Sequence, residues 1–138
     1  MAQKTFGGWR DSTLEDLNNI VCGKKIIDMR LDANTLKIDL AGGLTIELFD
    51  DGQDCCESRY MTCDGDELSY FTGAELRGFS LRSADVDVSS YDVHEIEFLV
   101  VNTDRGEQVF ANHNEHNGYY GGFAIKATLI DHNEGFHG

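Results

Sequence analysis

The chain contains no proline, has few cations and lacks any long apolar run, and each absence narrows what it can be. Without proline, chain reversals fall to the 15 glycines and to Asn and Asp, residues that reach positive φ at little steric cost, a usage that suits many hairpins. Lys and Arg number 11 against 25 Asp and Glu, for a formal net charge of −14. That balance excludes a general nucleic-acid or anionic-membrane surface, both of which are bound through clustered Lys and Arg. It restricts a small nucleotide less than a large polyanion, because charges are screened over about 8 Å at physiological salt and a local Arg can still hold an anion. No stretch approaches the ~20 apolar residues of a membrane-spanning helix, and Met1 to Trp9 carries no apolar leader core, so a soluble, cytoplasmic protein of the host cell is expected. Cysteine is sparse. Of Cys22, Cys55, Cys56 and Cys63, the adjacent pair bonds to itself only with strain, and reduced thiols are expected.

What is present suffices for one domain: 138 residues, 41% of them hydrophobic, close a modest core without disulfide or metal. Ser12-Thr13-Leu14-Glu15 has capping-box spacing, and Leu14, Leu17, Ile20 and Val21 follow at helical intervals before Gly23, predicting a short helix over about 12–21. Alternating apolar residues then mark three strands, through Ile27, Met29 and Leu31, through Leu36, Ile38 and Leu40, and through Leu44, Ile46 and Leu48. The period breaks at Asp50 to Glu57. The acidic start of Asp64 to Phe71 suits one or two helical turns, Leu76 to Leu81 another strand, and Ser83 to Tyr91 a polar connection. Val93 to Thr103 is the strongest strand, with His94, Ile96, Phe98 and Val100 on one side and Glu95, Glu97 and Leu99 on the other; a turn at Asp104-Arg105-Gly106 leads into Gln108 to Ala111. Phe123, Ile125, Ala127 and Leu129 are expected to close the sheet. The fold expected is α+β, mainly β: a twisted antiparallel sheet of about seven or eight strands with one or two short helices over an open face. Residues 1–11 read as an N-terminal segment, 12–130 as a single domain and 131–138 as a frayed tail.

Two clusters stand out as loop-borne equipment on this scaffold: Asp51-Gly52-Gln53-Asp54-Cys55-Cys56-Glu57, and His113-Asn114-Glu115-His116-Asn117-Gly118-Tyr119-Tyr120-Gly121-Gly122. His113 and His116 are candidate metal ligands together with the Cys55/Cys56 segment. Their spacing is not that of a dedicated zinc motif, however, and residues three apart in extended backbone point to opposite faces. A Cys-His nucleophile has no oxyanion-type glycine loop before it. No catalytic residue, cofactor or metal is assigned. Asn114, Asn117, Tyr119 and Tyr120, set among glycines, suit a planar ligand: aromatic faces stack on bases, Asn edges read heteroatoms, and an Arg such as Arg59 takes a phosphate. Against this stands a twisted strand whose tyrosines only pack on its faces. The acidic residues from Asp28 to Glu67, if several share a sheet face, can imitate a row of phosphates; the alternative is a solvated face.

Asp54-Cys55-Cys56-Glu57 followed by Tyr60, and Asn114-x-x-Asn117-Gly118-Tyr119-Tyr120 followed by Gly121-Gly122-Phe123, resemble the marks of a family of small, uncharacterised proteins of bacteriophages and prophage-bearing bacteria. The resemblance covers roughly Gly23 to Ala127. In layout the chain is also similar to the Thoeris anti-defence sponges, oligomeric β-rich phage proteins that sequester cyclic nucleotide signals without cleaving them. Residues and resemblance together lead to a non-enzymatic phage accessory protein, a homo-oligomer, that holds a small nucleotide-like ligand through Asp54, Glu57, Arg59, Asn114, Asn117, Tyr119 and Tyr120. The alternatives are an acidic inhibitor that binds a host protein as a nucleic-acid mimic, and a metal-dependent enzyme built on His113 and His116. No membrane contact and no direct nucleic-acid binding is expected.

Overall fold

Strand alternation divides the chain between two antiparallel sheets that share one core. The computed structural model describes residues 2–6, 11–50, 58–63, 68–83, 87–88, 93–116, 123 and 125–132. In chain order these form β1 (Ala2–Phe6), α1 (Asp11–Val21), β2 (Ile26–Asp32), β3 (Thr35–Leu40), β4 (Leu44–Asp50), β5 (Ser58–Cys63), a 3₁₀ turn (Leu68–Phe71), β6 (Leu76–Ser83), β7 (Asp87–Val88), β8 (Val93–Thr103), β9 (Gly106–His116) and β10 (Ile125–Asp131). The first sheet runs β1-β10-β4-β3-β2 and the second β5-β9-β8-β6, with β7 paired to β8. The expectation of one sheet is corrected on this point. Local alternation identifies a strand but not its neighbours, and β10 returns to the first sheet, between β1 and β4, rather than extending the second. Residues 2–6, set apart as an N-terminal segment by the sequence, are an edge strand on β10. Residues 133–138 lie outside the described residues.

The core follows from the phase of each strand. Ile26, Met29, Leu36, Ile38, Leu40, Ile46, Leu48, Ala127 and Leu129 from the first sheet meet Met61, Leu76, Phe79, Leu99, Val101 and Phe110 from the second. Leu17 and Val21 of α1 and Phe71 of the 3₁₀ turn join them. Each of the larger side chains contributes about 1.5–3 kcal/mol when fully buried. Among the described residues no helix is long and apolar enough to cross a membrane.

Two devices fix the scaffold around the core. The β2–β3 hairpin turns through Ala33 and Asn34, both at positive φ (47° and 68°), the backbone of a twist-matched two-residue turn, and the Asn34 Oδ1 then accepts the Met61 amide of β5 at 3.2 Å. At the other end, the Asn18 amide of α1 grips the backbone of β6: Nδ2 donates to Phe79 O at 3.0 Å and Oδ1 accepts Phe79 N–H at 2.7 Å. This grip needs Gly78, which sits at φ 147° beside a register shift; a Cβ there would lie 2.9 Å from Asn18 Cγ. Asn18→Ala is expected to lose about 1–3 kcal/mol of stability through the two abandoned backbone groups, and Gly78→Ala at least as much. Urea denaturation of both variants checks this, and a near-neutral Gly78→Ala would show that α1 is not held this way.

Candidate functional site

The inner face of the second sheet changes character along its length. On β9 the inward residues are Gln108, Phe110, Asn112, Asn114 and His116, all buried, while Val109, Ala111 and His113 are half-buried and Glu115 is exposed. The alternation that puts Phe110 in the core therefore continues in phase into three polar side chains. Opposite them, β8 directs Glu97 toward Asn112 and Glu95 toward Asn114, and β5 directs Met61 toward Asn112 and Arg59 toward Asn114. The apolar core thus ends in a polar compartment between the two sheets.

Its principal contact is an ion pair that joins those sheets. Arg59 Nη1 of β5 donates to Asp50 Oδ1 at 3.0 Å and Oδ2 at 2.9 Å, at the end of β4. Their side chains are only 8% and 9% exposed. Beside this pair, His116 Nε2–H donates to Glu95 Oε1 at 2.6 Å, and Asn112 Nδ2 donates to the Glu97 carbonyl at 3.3 Å. Asn112 Oδ1 is buried and accepts no hydrogen bond among the described residues. Burial, and then the charge of Asp50, push the Glu97 carboxyl above its ordinary range. A small recess of about 20 Å³ opens here, lined by Asn34, Asp50, Arg59, Tyr60, Met61 and Asn112.

The outer face of the same sheet carries a second constellation. Tyr60 stacks on His113 with ring centroids 4.5 Å apart and planes 9° from parallel, and its hydroxyl donates to Glu115 at 2.8 Å. His113 Nδ1 meets His94 Nε2 at 2.9 Å and His113 Nε2 meets Thr62 Oγ1 at 2.8 Å. Burial, with the hydrogen bond to Glu115, raises the Tyr60 phenol, so it stays protonated at neutral pH.

The chain matches the family model described as a domain of unknown function (DUF7448) over residues 19–125. It belongs to that family. No curated protein and no solved structure matches it. The DUF7448 region takes in β2 to β9 and all of the polar compartment, and excludes β1.

Of the residues expected at a site, the register of β5 against β9 brings Arg59 and Asn114 directly opposite each other. Asp54, Glu57, Asn117, Tyr119 and Tyr120, like Cys55 and Cys56, lie outside the described residues; of the described positions on either side, Asp50 pairs with Ile125 and Ser58 with Glu115. Arg59 is paired with Asp50. One reading is corrected. The stretch from His113 to His116 is strand, not loop, because β9 continues its pairing with β8 as far as Val93. His113 and His116 consequently point to opposite faces of β9, as their spacing in extended backbone leads one to expect, and among the described residues no group of three or more His, Cys, Asp or Glu is placed to hold a metal. Cys22 and Cys63 are free thiols.

The acidic series is likewise divided. Asp28, Asp32, Asp39 and Glu47 do share the solvent face of the first sheet, but Arg30 and Lys37 lie among them. Arg30 contacts Asp28 at 2.7 Å and Asp39 at 2.9 Å, and Lys37 contacts Asp32 at 3.4 Å. Although burial pushes the Asp39 carboxyl up, hydrogen bonds from Thr45 and Arg30 and the charges of Arg30 and His132 outweigh it and hold the group below its ordinary range. Two cations thus sit among four carboxylates on this face, whereas a row of phosphates has no cation of its own.

Asp50, Glu95, Glu97 and Asn112 were not singled out by sequence. Their signal was parity: each is in phase with a core residue of its own strand. The raised Glu97 carboxyl has a sign that can be checked. Folding favours its protonated form, so the stability it contributes is complete below the ordinary carboxylate range, about pH 4.3, and is lost as pH rises through the folded value. With burial and the charge of Asp50 both opposing its ionised form, Glu97→Gln is expected to raise the thermal midpoint at pH 7 by more than at pH 4. An equal shift at both pH values would contradict this environment.

Proposed function

We propose that this DUF7448 protein is a non-enzymatic binding protein that holds a small, polar, nucleotide-like ligand at the polar end of its two-sheet core. The observation that carries this reading is the buried Asn112 Oδ1 beside the Arg59–Asp50 pair and the recess. An unsatisfied buried acceptor costs about 1–3 kcal/mol, and native interiors retain few of them without a use. Asp50 and Arg59, which flank the first motif segment in the chain, line this recess, and the proposal extends to Asn117, Tyr119, Tyr120, Asp54 and Glu57 as the residues that would stack on and enclose the ligand. A phage origin, an anti-defence role by sequestration, a homo-oligomer and a cytoplasmic location form its biological setting and rest on the resemblance of the motifs.

The cations paired with acidic residues on the first sheet count against a nucleic-acid mimic, and the opposed faces of His113 and His116 against a metal enzyme using both. Native mass spectrometry of untagged protein, compared with the denatured chain, tests the reading. A retained small-molecule mass that disappears in Asn114→Ala is expected. A bare chain that also gains no thermal stability from any nucleotide or nucleoside would overturn it.

A further inference from the structure

The recess offers acceptors where a nucleotide's phosphate needs donors. Asn112 is 1% exposed, and its one described hydrogen bond runs to the Glu97 carbonyl, which can only accept. That contact fixes which end of the amide is nitrogen, so the atom left without a partner is an oxygen, and Asn112 is among the residues that line the recess. The Asp50 carboxylate lines the recess, and Glu97 stands opposite Asn112 in the register. The Asn34 Oδ1 is already taken by the Met61 amide. Arg59 supplies the guanidinium on the lining, and both Asp50 oxygens lie within 3.0 Å of its Nη1. The carboxyl of Glu97 is raised by burial and by Asp50, as a carboxylate short of a cation would be. The enclosed space, about 20 Å³, is little more than the ~10–15 Å³ that holds one water, so it admits one small functional group.

We propose, building on the binding reading above, that the group entering this recess is an N–H donor, the amino or amidine edge of a nucleobase or the head of an alkyl guanidinium, and that phosphate stays outside. A donor reaching Asn112 Oδ1 satisfies the buried acceptor and offsets the local negative charge. A phosphate would set its oxygens against Asp50 and Glu97 and would have to displace Asp50 from Arg59.

Isothermal titration of the untagged protein with adenosine, agmatine and inorganic phosphate tests this. Adenosine or agmatine is expected to bind and phosphate not to. Asn112→Leu should weaken the binding at least tenfold while leaving the thermal midpoint of the ligand-free protein unchanged or higher. If that variant does not fold, Asn112→Ala, which deletes the amide without adding bulk, carries the comparison. Adenosine alone assigns the nucleobase edge, and agmatine alone the alkyl cation. Phosphate binding without either amine, or amine binding untouched by the loss of Asn112, overturns the donor-group inference and leaves the binding reading standing. Failure of all three probes also overturns it, and the retained mass in the native spectrum then decides whether the binding reading falls as well.

Discussion

The Arg59–Asp50 ion pair is the constraint on which the polar end of the molecule depends. It joins the last residue of β4 in the first sheet to the second residue of β5 in the other, with both side chains nine-tenths buried. Removing two charges from water costs several kcal/mol per ion, and their attraction offsets this only with good geometry and further hydrogen bonds. A single well-packed apolar pair at this position would serve stability as well. The presence of the charges therefore argues for a role in shaping what lies beside them: a recess whose Arg is held by Asp50, whose Asn112 amide is oriented by Glu97, and whose next inward residue, Asn114, sits directly across from Arg59.

The strand geometry makes this arrangement possible. In β9 and β8 the backbone pairing runs without a break from Thr103↔Gly106 to Val93↔His116, so one regular ladder supports both the apolar core and the polar compartment. Leu99 and Phe110 sit near its middle, and Glu97, Asn112, Glu95 and Asn114 come next on the same face. A site built on a ladder is held more rigidly than one on a loop, because each side chain inherits its direction from paired backbone on both sides. Asn34 adds a tie from the β2–β3 turn to β5, which fixes the remaining wall.

Much of this was legible residue by residue. The capping box and helical spacing at Ser12 to Val21 correspond to α1, and the three alternating runs from Ile27 to Leu48 correspond to β2, β3 and β4, except that a bulge between Ile26 and Asp28 buries Ile26 and leaves Ile27 exposed. The division into two sheets was not legible, since alternation is a local signal and the return of β10 to β4 is a long-range pairing. Polarity misled the reading of His113 to His116: a run of His, Asn and Glu resembles a loop, yet its phase relative to Phe110 makes it strand. Arg59 and Asn114 stood out from motif content alone. Asp50, Glu97 and Asn112 did not, because a buried polar residue is recognised by its parity with core neighbours and by the partner that tertiary structure supplies.

The proposal that the compartment is kept for binding rather than for stability is tested most directly by equilibrium denaturation of the double variant Asp50→Leu/Arg59→Met, which replaces the buried pair with apolar groups of similar reach. The expected midpoint is at or above that of the parent, as for other buried ion pairs exchanged for hydrophobic contacts. A midpoint depressed as far as in either single variant would contradict this and make the ion pair a structural clamp between the sheets.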